Sequence, residues 1–339
     1  MKKRILTLLL GIVMMFSVVG CSQSQSSESS KSEEKSTVTI KSLNGNKEEI
    51  DLEVPYDPQR IAVLDFAALD ILDNLGVGDR VVGSADTSID YLSSYSNNDK
   101  ITNLGTIKEA DLEAVMECEP DVIFIGGRLA GSYDKLSEIA PVVYLSTDTE
   151  VGVVQSVNDN ATIIASMFGL ESKVEEKLAG FAARIEELSK VADGKTALVG
   201  MTTSGSFNLL GNDGRCSIIG NEIGFENLTT ESTAEGGGSE KGGKGESGKT
   251  SSHGNESSFE TVLEKNPDYI FVMDRDSAIG AEGAQLAKEI MENELVEETD
   301  AHANGNIVYL ENPVVWYTAE GGITALDVML SDLESALLK

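Results

Sequence analysis

The sequence predicts an α/β protein: two α/β lobes joined by a single long helix, with a ligand cleft between the lobes. Three observations predict it. Residues 112–124 (LEAVMECEPDVIF) and 259–271 (FETVLEKNPDYIF) repeat at an offset of 147. Glu113 matches Glu260, Val115 matches Val262, Pro120-Asp121 matches Pro267-Asp268, and Ile123-Phe124 matches Ile270-Phe271. The offset still holds at Arg128 and Arg275. A period this long duplicates a lobe, not a solenoid unit. Short apolar β-runs also alternate with helical patterns on both sides of the repeat. Between the copies, Val174, Leu178, Phe181, Ile185 and Leu188 recur at spacings of three and four, predicting a helix from about Ser172 to Val191. Twenty residues make a rod of about 30 Å, which permits only a small closing motion of the lobes it joins.

The elements follow in order. Lys2, Lys3 and Arg4 precede an apolar run from Ile5 to Val19 that ends Val-Val-Gly-Cys at Cys21. A charged start and a short apolar stretch make a secretory signal; a transmembrane helix needs about 20 apolar residues. Gly20-Cys21 resembles a bacterial lipoprotein signal, so residues 1–20 read as a signal peptide and Cys21 as the lipidated residue. Residues 21–36 are polar, low in complexity and read as a disordered tether. The first lobe, 37–155, opens with STVTI and EEIDLEV around Asn44-Gly45, a hairpin signal. RIAVL, a helix from about Ala67 to Asn74, VVGS, the repeated unit and VVYLS follow. Residues 156–192 hold the connecting helices, the first from Asn158 to Phe168 and stopped by Gly169. The second lobe, 193–339, runs TALVGMT, a helix from about Cys216, the repeated unit, IVYL and a closing helix from about Ile323 to Leu338. Within it, 231–258 reads as a flexible Gly/Ser-rich loop.

That loop contains GKGESGKT, Gly243 to Thr250, which fits the phosphate-loop pattern at every fixed position. A phosphate loop needs a buried strand before it and a helix after it. STAEGGGSEKG and SSHGNES supply neither, and an exported chain meets no ATP pool. The match is a chance one, and no nucleotide partner is expected.

Composition narrows the function further. The formal net charge is −31, and loss of residues 1–20 takes it near −34. That argues against nucleic acid. Besides Cys21 there are only Cys118 and Cys216, in different halves, which read as structural thiols. Two histidines, His253 and His302, cannot build a zinc or manganese site. No G-x-S-x-G elbow occurs, and Ser251 and Ser252 lie in a loop, so no enzyme is expected. A purely structural surface lipoprotein is the remaining alternative to a binding protein.

Lipobox, two α/β lobes, one connecting helix and a Pro-Asp-x-Ile-Phe unit in each lobe together resemble the helical-backbone class (class III) of substrate-binding proteins. These serve ABC importers of ferric siderophores, haem and cobalamin. The strings GRLAGSYDKL, SHGNESSFETVLEKNPDYIFVMDR and WYTAEGG resemble the catecholate-siderophore binders, including petrobactin-type ones. The resemblance implies a monomer at the extracytoplasmic face of a Gram-positive cell membrane, with a ferric siderophore as cargo, an ABC permease and its ATPase as partners, and no cofactor of its own. Haem, cobalamin or another iron complex is the alternative cargo. A ferric catecholate is a trianion, and arginine suits its oxygens. After residue 20 the chain has six arginines, and Arg128, Arg215 and Arg275 follow strand-like segments. The resemblance places these three in the cleft. It also implies His253 and Tyr317 as iron donors when the siderophore offers only four, and Trp316 as either a stacking wall or core. Glu113 and Glu260 are implied as permease-docking residues, one on each lobe.

Overall fold

The structure is a computed structural model that describes residues 36–229 and 252–338, the latter stretch with side chains from Phe259 onward. Strands β1 (Thr37–Leu43) and β2 (Glu49–Pro55) pair antiparallel. Asn44 organises their turn, its Oδ1 accepting from the N–H groups of Asn46 (2.9 Å) and Glu48 (3.0 Å). The left-handed residue of the turn is Lys47 (φ 64°), not Gly45.

The first lobe continues with β3 (Ile61–Leu64), α1 (Phe66–Leu75), β4 (Val81–Ser84), α2 (Ser93–Ser96), β5 (Thr102–Asn103) and α3 (Leu112–Glu117). Then come β6 (Val122–Ile125), α4 (Tyr133–Ser137) and β7 (Val142–Tyr144). The sheet is parallel, in the order β5-β4-β3-β6-β7. Every residue of β3 and β6 is buried, as continuous apolar runs in a doubly covered parallel sheet should be.

Next come α5 (Val153–Ser166), α6 (Glu171–Leu178) and α7 (Phe181–Ala192). The single rod expected over 172–191 is therefore two helices. Gly180 (φ 98°) breaks it, although the apolar spacing runs straight across the break. That left-handed conformation cannot continue an α-helix, and glycine adopts it without a Cβ clash. α7 is fastened to the C-terminal helix by Arg184, whose Nε and Nη2 donate to the two oxygens of Glu334 at 2.7 and 2.8 Å.

The second lobe contains β8 (Thr196–Thr203), β9 (Ser206–Leu210), α8 (Ile218–Asn221), β10 (Glu226–Asn227), α9 (Ser252–Lys265), β11 (Tyr269–Asp274) and α10 (Arg275–Ala278). It ends with α11 (Ala287–Met291), α12 (Glu294–Glu297), α13 (Asp300–Ala303), β12 (Ile307–Tyr309), α14 (Pro313–Thr318) and α15 (Ile323–Leu337). β10-β8-β11-β12 are parallel, and β9 adds antiparallel to β8 across a turn with positive φ at Ser204 and Gly205. The helix expected from Cys216 begins at Ile218, because Cys216 itself has φ 62°. The loop expected over 231–258 is helical from Ser252 on.

The repeat is a physical one. Glu119 and Asn266, at matching positions, are both left-handed (φ 45° and 40°). The following aspartates pin the start of the neighbouring strand in each sheet. Asp121 Oδ2 accepts from the N–H groups of Gln59 and Arg60 at 2.7 and 2.9 Å. Asp268 Oδ2 accepts from the N–H and Oγ1 of Thr196, both at 2.9 Å. Each lobe thus sets its strands in the same register and brings an arginine out just past the same strand end.

α15 packs back onto α1 of the first lobe. Its cap, Gly322, has no side chain, and the buried Asp70 of α1 does the capping. Asp70 accepts from the N–H groups of Thr324 (3.0 Å) and Ala325 (2.8 Å). A methyl on Gly322 would stand 2.2 Å from Asp70 Oδ2, so glycine is required for this approach. Among the described residues no helix is long and apolar enough to cross a membrane.

Candidate functional site

Arg128 lies in the turn after β6, and Arg275 opens α10 directly after β11. Arg215 lies in the loop between β9 and α8. All three converge on Tyr317. The guanidinium carbons stand 5.2, 4.5 and 5.6 Å from its ring centroid for Arg128, Arg215 and Arg275. Arg128 Nη2 and Arg215 Nε donate to the Tyr317 carbonyl at 2.8 and 3.3 Å. Arg275 Nε donates to the Tyr317 hydroxyl at 3.2 Å, and its Nη1 is held by Thr203 Oγ1 at 3.0 Å and Asp276 Oδ1 at 3.2 Å.

Arginines from both lobes thus surround one aromatic ring, where cation–π attraction and charge-assisted hydrogen bonds act together. Burial alone would raise the Tyr317 hydroxyl. The Arg275 hydrogen bond and the positive charges of Arg215, Arg275 and Arg128 instead bring it below the usual phenol value. Arg128 is pushed down by burial and by like charge from Arg215.

Beside it opens a cavity of about 470 Å³, lined by Lys47, Asp65, Arg128, Arg215, Tyr317 and Glu320 among others. The sequence reading missed both of these carboxylates. Asp65 follows β3 directly and caps α1, its Oδ1 accepting from the Ala68 N–H at 2.9 Å. Burial raises its pKa against the opposing pull of Arg128. Glu320 accepts from the Cys216 N–H at 3.3 Å. Burial lifts its pKa to about 7, Arg215 opposes this, and Glu222 adds to it. Glu222 in turn caps α5, accepting from the Val153 N–H and from the Val154 N–H at 3.2 Å. A strand-end position could have signalled Asp65. Glu320 lies in WYTAEGG, where nothing local marks its carboxylate as a cavity group.

Trp316 is not a wall of the cavity. It is fully buried, and its indole N–H donates to Asp332 Oδ2 at 2.8 Å. Successive residues of a helix point about 100° apart, so α14 turns Tyr317 to the cleft and Trp316 to the core. His253 falls in the first turn of α9, but its side chain lies outside the described ones. Cys21 and the string at 243–250 also lie outside the described residues. His302 is exposed, in α13. Cys118 and Cys216 are buried free thiols.

Glu113 and Glu260 are both exposed. Glu113 sits in the first turn of α3, capped by Asp111. Glu260 does not open a helix, since α9 starts eight residues earlier at Ser252. Met116, 59 % exposed, lies one turn beyond Glu113.

A family model described as "Periplasmic binding protein" matches residues 61–314. The chain is 30% identical to the petrobactin-binding protein YclQ of Bacillus subtilis, over 99% of this chain and 100% of that one. It is 26% identical to the ferric-anguibactin-binding protein FatB of Vibrio anguillarum, over 81% of each. The crystal structure of YclQ superposes with a TM-score of 0.75, covering 90% of this chain and 100% of that one at 29% identity. That of the periplasmic catecholate-siderophore binding protein VctP of Vibrio cholerae superposes with a TM-score of 0.72, covering 88% and 100% at 28% identity.

Proposed function

The chain belongs to the periplasmic binding protein family, and from that premise we propose that it is the extracytoplasmic solute-binding component of an ABC importer. Its cargo is a ferric siderophore of the catecholate type, which it delivers to a membrane permease for iron uptake. One observation carries the cargo class: three arginines from two lobes converge on one ring beside a cavity, in a chain of net charge −31. An anionic cargo suits such a cluster. Ferric iron held by three catecholates is a trianion and by two a monoanion, and planar guanidinium donors match the oxygens of either. The names of petrobactin-binding YclQ and ferric-anguibactin-binding FatB support an iron-carrier cargo of this kind, and that of the catecholate-siderophore binding protein VctP supports the catecholate type.

The remaining roles follow from this reading. Tyr317 and His253 serve as oxygen and nitrogen donors to iron when the siderophore leaves positions open. Glu113 and Glu260 dock the two lobes onto the permease. Cys21 carries the lipid anchor that holds the protein at the outer face of the membrane. The protein binds and releases, with no chemical step of its own.

Fluorescence titration with a panel of ferric complexes tests the cargo class. Trp316 reports by energy transfer to the visible absorption of the complex, so its burial is no obstacle. An anionic ferric catecholate should bind at least about tenfold more tightly than a neutral ferric hydroxamate, ~1.4 kcal/mol. Equal affinities, or a preference for haem, contradict the proposal.

A further inference from the structure

The cavity has a third basic residue that the arginine cluster does not explain. Lys47 lines it from the β1–β2 turn. The family match begins at residue 61, so this hairpin is a part of the wall that the match does not cover. Lys47 is exposed, and among the described residues it forms no ion pair. Lys41 on the same hairpin, by contrast, is paired with Glu49 at 2.9 Å and Asp51 at 3.0 Å. The neighbouring Glu48 carboxylate is engaged by Asn44 Nδ2 at 3.0 Å instead.

The turn is also firmly mounted. A methyl on Gly45 would stand 3.1 Å from Tyr133 Cβ and 3.3 Å from the Ala130 carbonyl, so the turn seats directly on the segment that follows Arg128. Ser42 Oγ accepts from the N–H of Tyr144, another cavity residue, at 3.0 Å. Lys47 holds φ 64°, a conformation in which a side chain is strained and glycine is not. An unpaired ammonium on a fixed, strained turn at a cavity wall suits a ligand better than it suits the fold.

We propose that Lys47 is a specificity-determining residue, which takes a carboxylate that the cargo carries apart from its iron-binding oxygens. The guanidinium groups match the delocalised oxygens around iron; a compact ammonium matches a single carboxylate. The proposal rests on the ferric-siderophore reading and adds a second anionic group to the cargo.

The probes are a ferric bis-catecholamide with a free pendant carboxylate and the same complex with that group as a primary amide. The wild type should favour the carboxylate by about tenfold, and Lys47→Gln should cut this to about twofold or less. Lys47→Gly should do the same while folding at least as well, because glycine relieves the strain. Lys47→Arg should retain most of the preference. Lys190→Gln, outside the cavity wall, should retain all of it. If the Lys47 variants weaken both complexes alike, or the wild type binds both equally well, Lys47 is not a carboxylate site and the catecholate reading stands without it. If the wild type binds neither complex, the catecholate reading fails and this inference with it.

Discussion

Replacing Asp70 by alanine should destabilise the protein by about 3 kcal/mol or more, the cost of stripping a buried hydrogen-bond acceptor from several donors at once. Asp70 accepts from the N–H groups of Thr324 and Ala325, from Asn74 Nδ2 at 2.6 Å and from the Tyr91 hydroxyl at 3.2 Å. Without it, α15 loses its cap and Tyr91 loses its partner. Gly322 can supply no replacement. Burial holds the Asp70 pKa above the ordinary carboxylate value, against the opposing hydrogen bonds from Ala325, Thr324 and Tyr91. Asp70→Asn keeps one acceptor oxygen and should fall between the wild type and alanine. Urea unfolding reads all three. A loss below about 1 kcal/mol for alanine would mean that α15 is held to the first lobe by apolar packing alone.

Arg128→Ala and Arg275→Ala should each weaken binding of a ferric catecholate by roughly 1.5–3 kcal/mol, since each removes charge-assisted hydrogen bonds in a half-buried site. The two residues stand at matching positions of the repeat and approach Tyr317 from opposite lobes. Arg60 is a poor control, because its guanidinium Nε donates to the Cys118 and Glu119 carbonyls, both at 3.0 Å, and closes α3. Lys190, exposed on α7 and paired with Glu187, is the better one. If Lys190→Ala weakens binding as much as either arginine change, long-range charge is responsible and the cleft assignment is wrong. The comparison is best made at physiological salt, where remote surface charge is screened within about 8 Å.

The sequence announced the lobes because each depends on local signals. Pro120-Asp121 and Pro267-Asp268 set turns, β-runs such as VIFI are apolar throughout, and the offset of 147 ties the copies together. The arginines were legible for the same reason: Arg128 and Arg275 inherit their place from the repeat. What could not be read depends on a single residue's conformation or on partners remote in sequence. Gly180 breaks a helix whose apolar spacing never falters. Trp316 and Tyr317 are adjacent in sequence, and only the phase of α14 separates core from cleft. Asp70 and Thr324 meet across 254 positions, and Asp65 and Glu320 reach the cavity from different lobes. Lys47 escaped notice because Asn44-Gly45 already explained the hairpin, and nothing local says that its turn overhangs a cavity.

The cargo site is the cavity beside Tyr317, lined by Arg128 and Arg215. Anomalous diffraction at the iron edge, from crystals grown with a ferric catecholate, locates the metal without assumption. A single iron peak in that cavity, with catecholate oxygens on the Arg128, Arg215 and Arg275 guanidinium groups, is the predicted result. An iron peak elsewhere on the protein, or cargo in the cavity with the three arginines still closed on Tyr317, would contradict it.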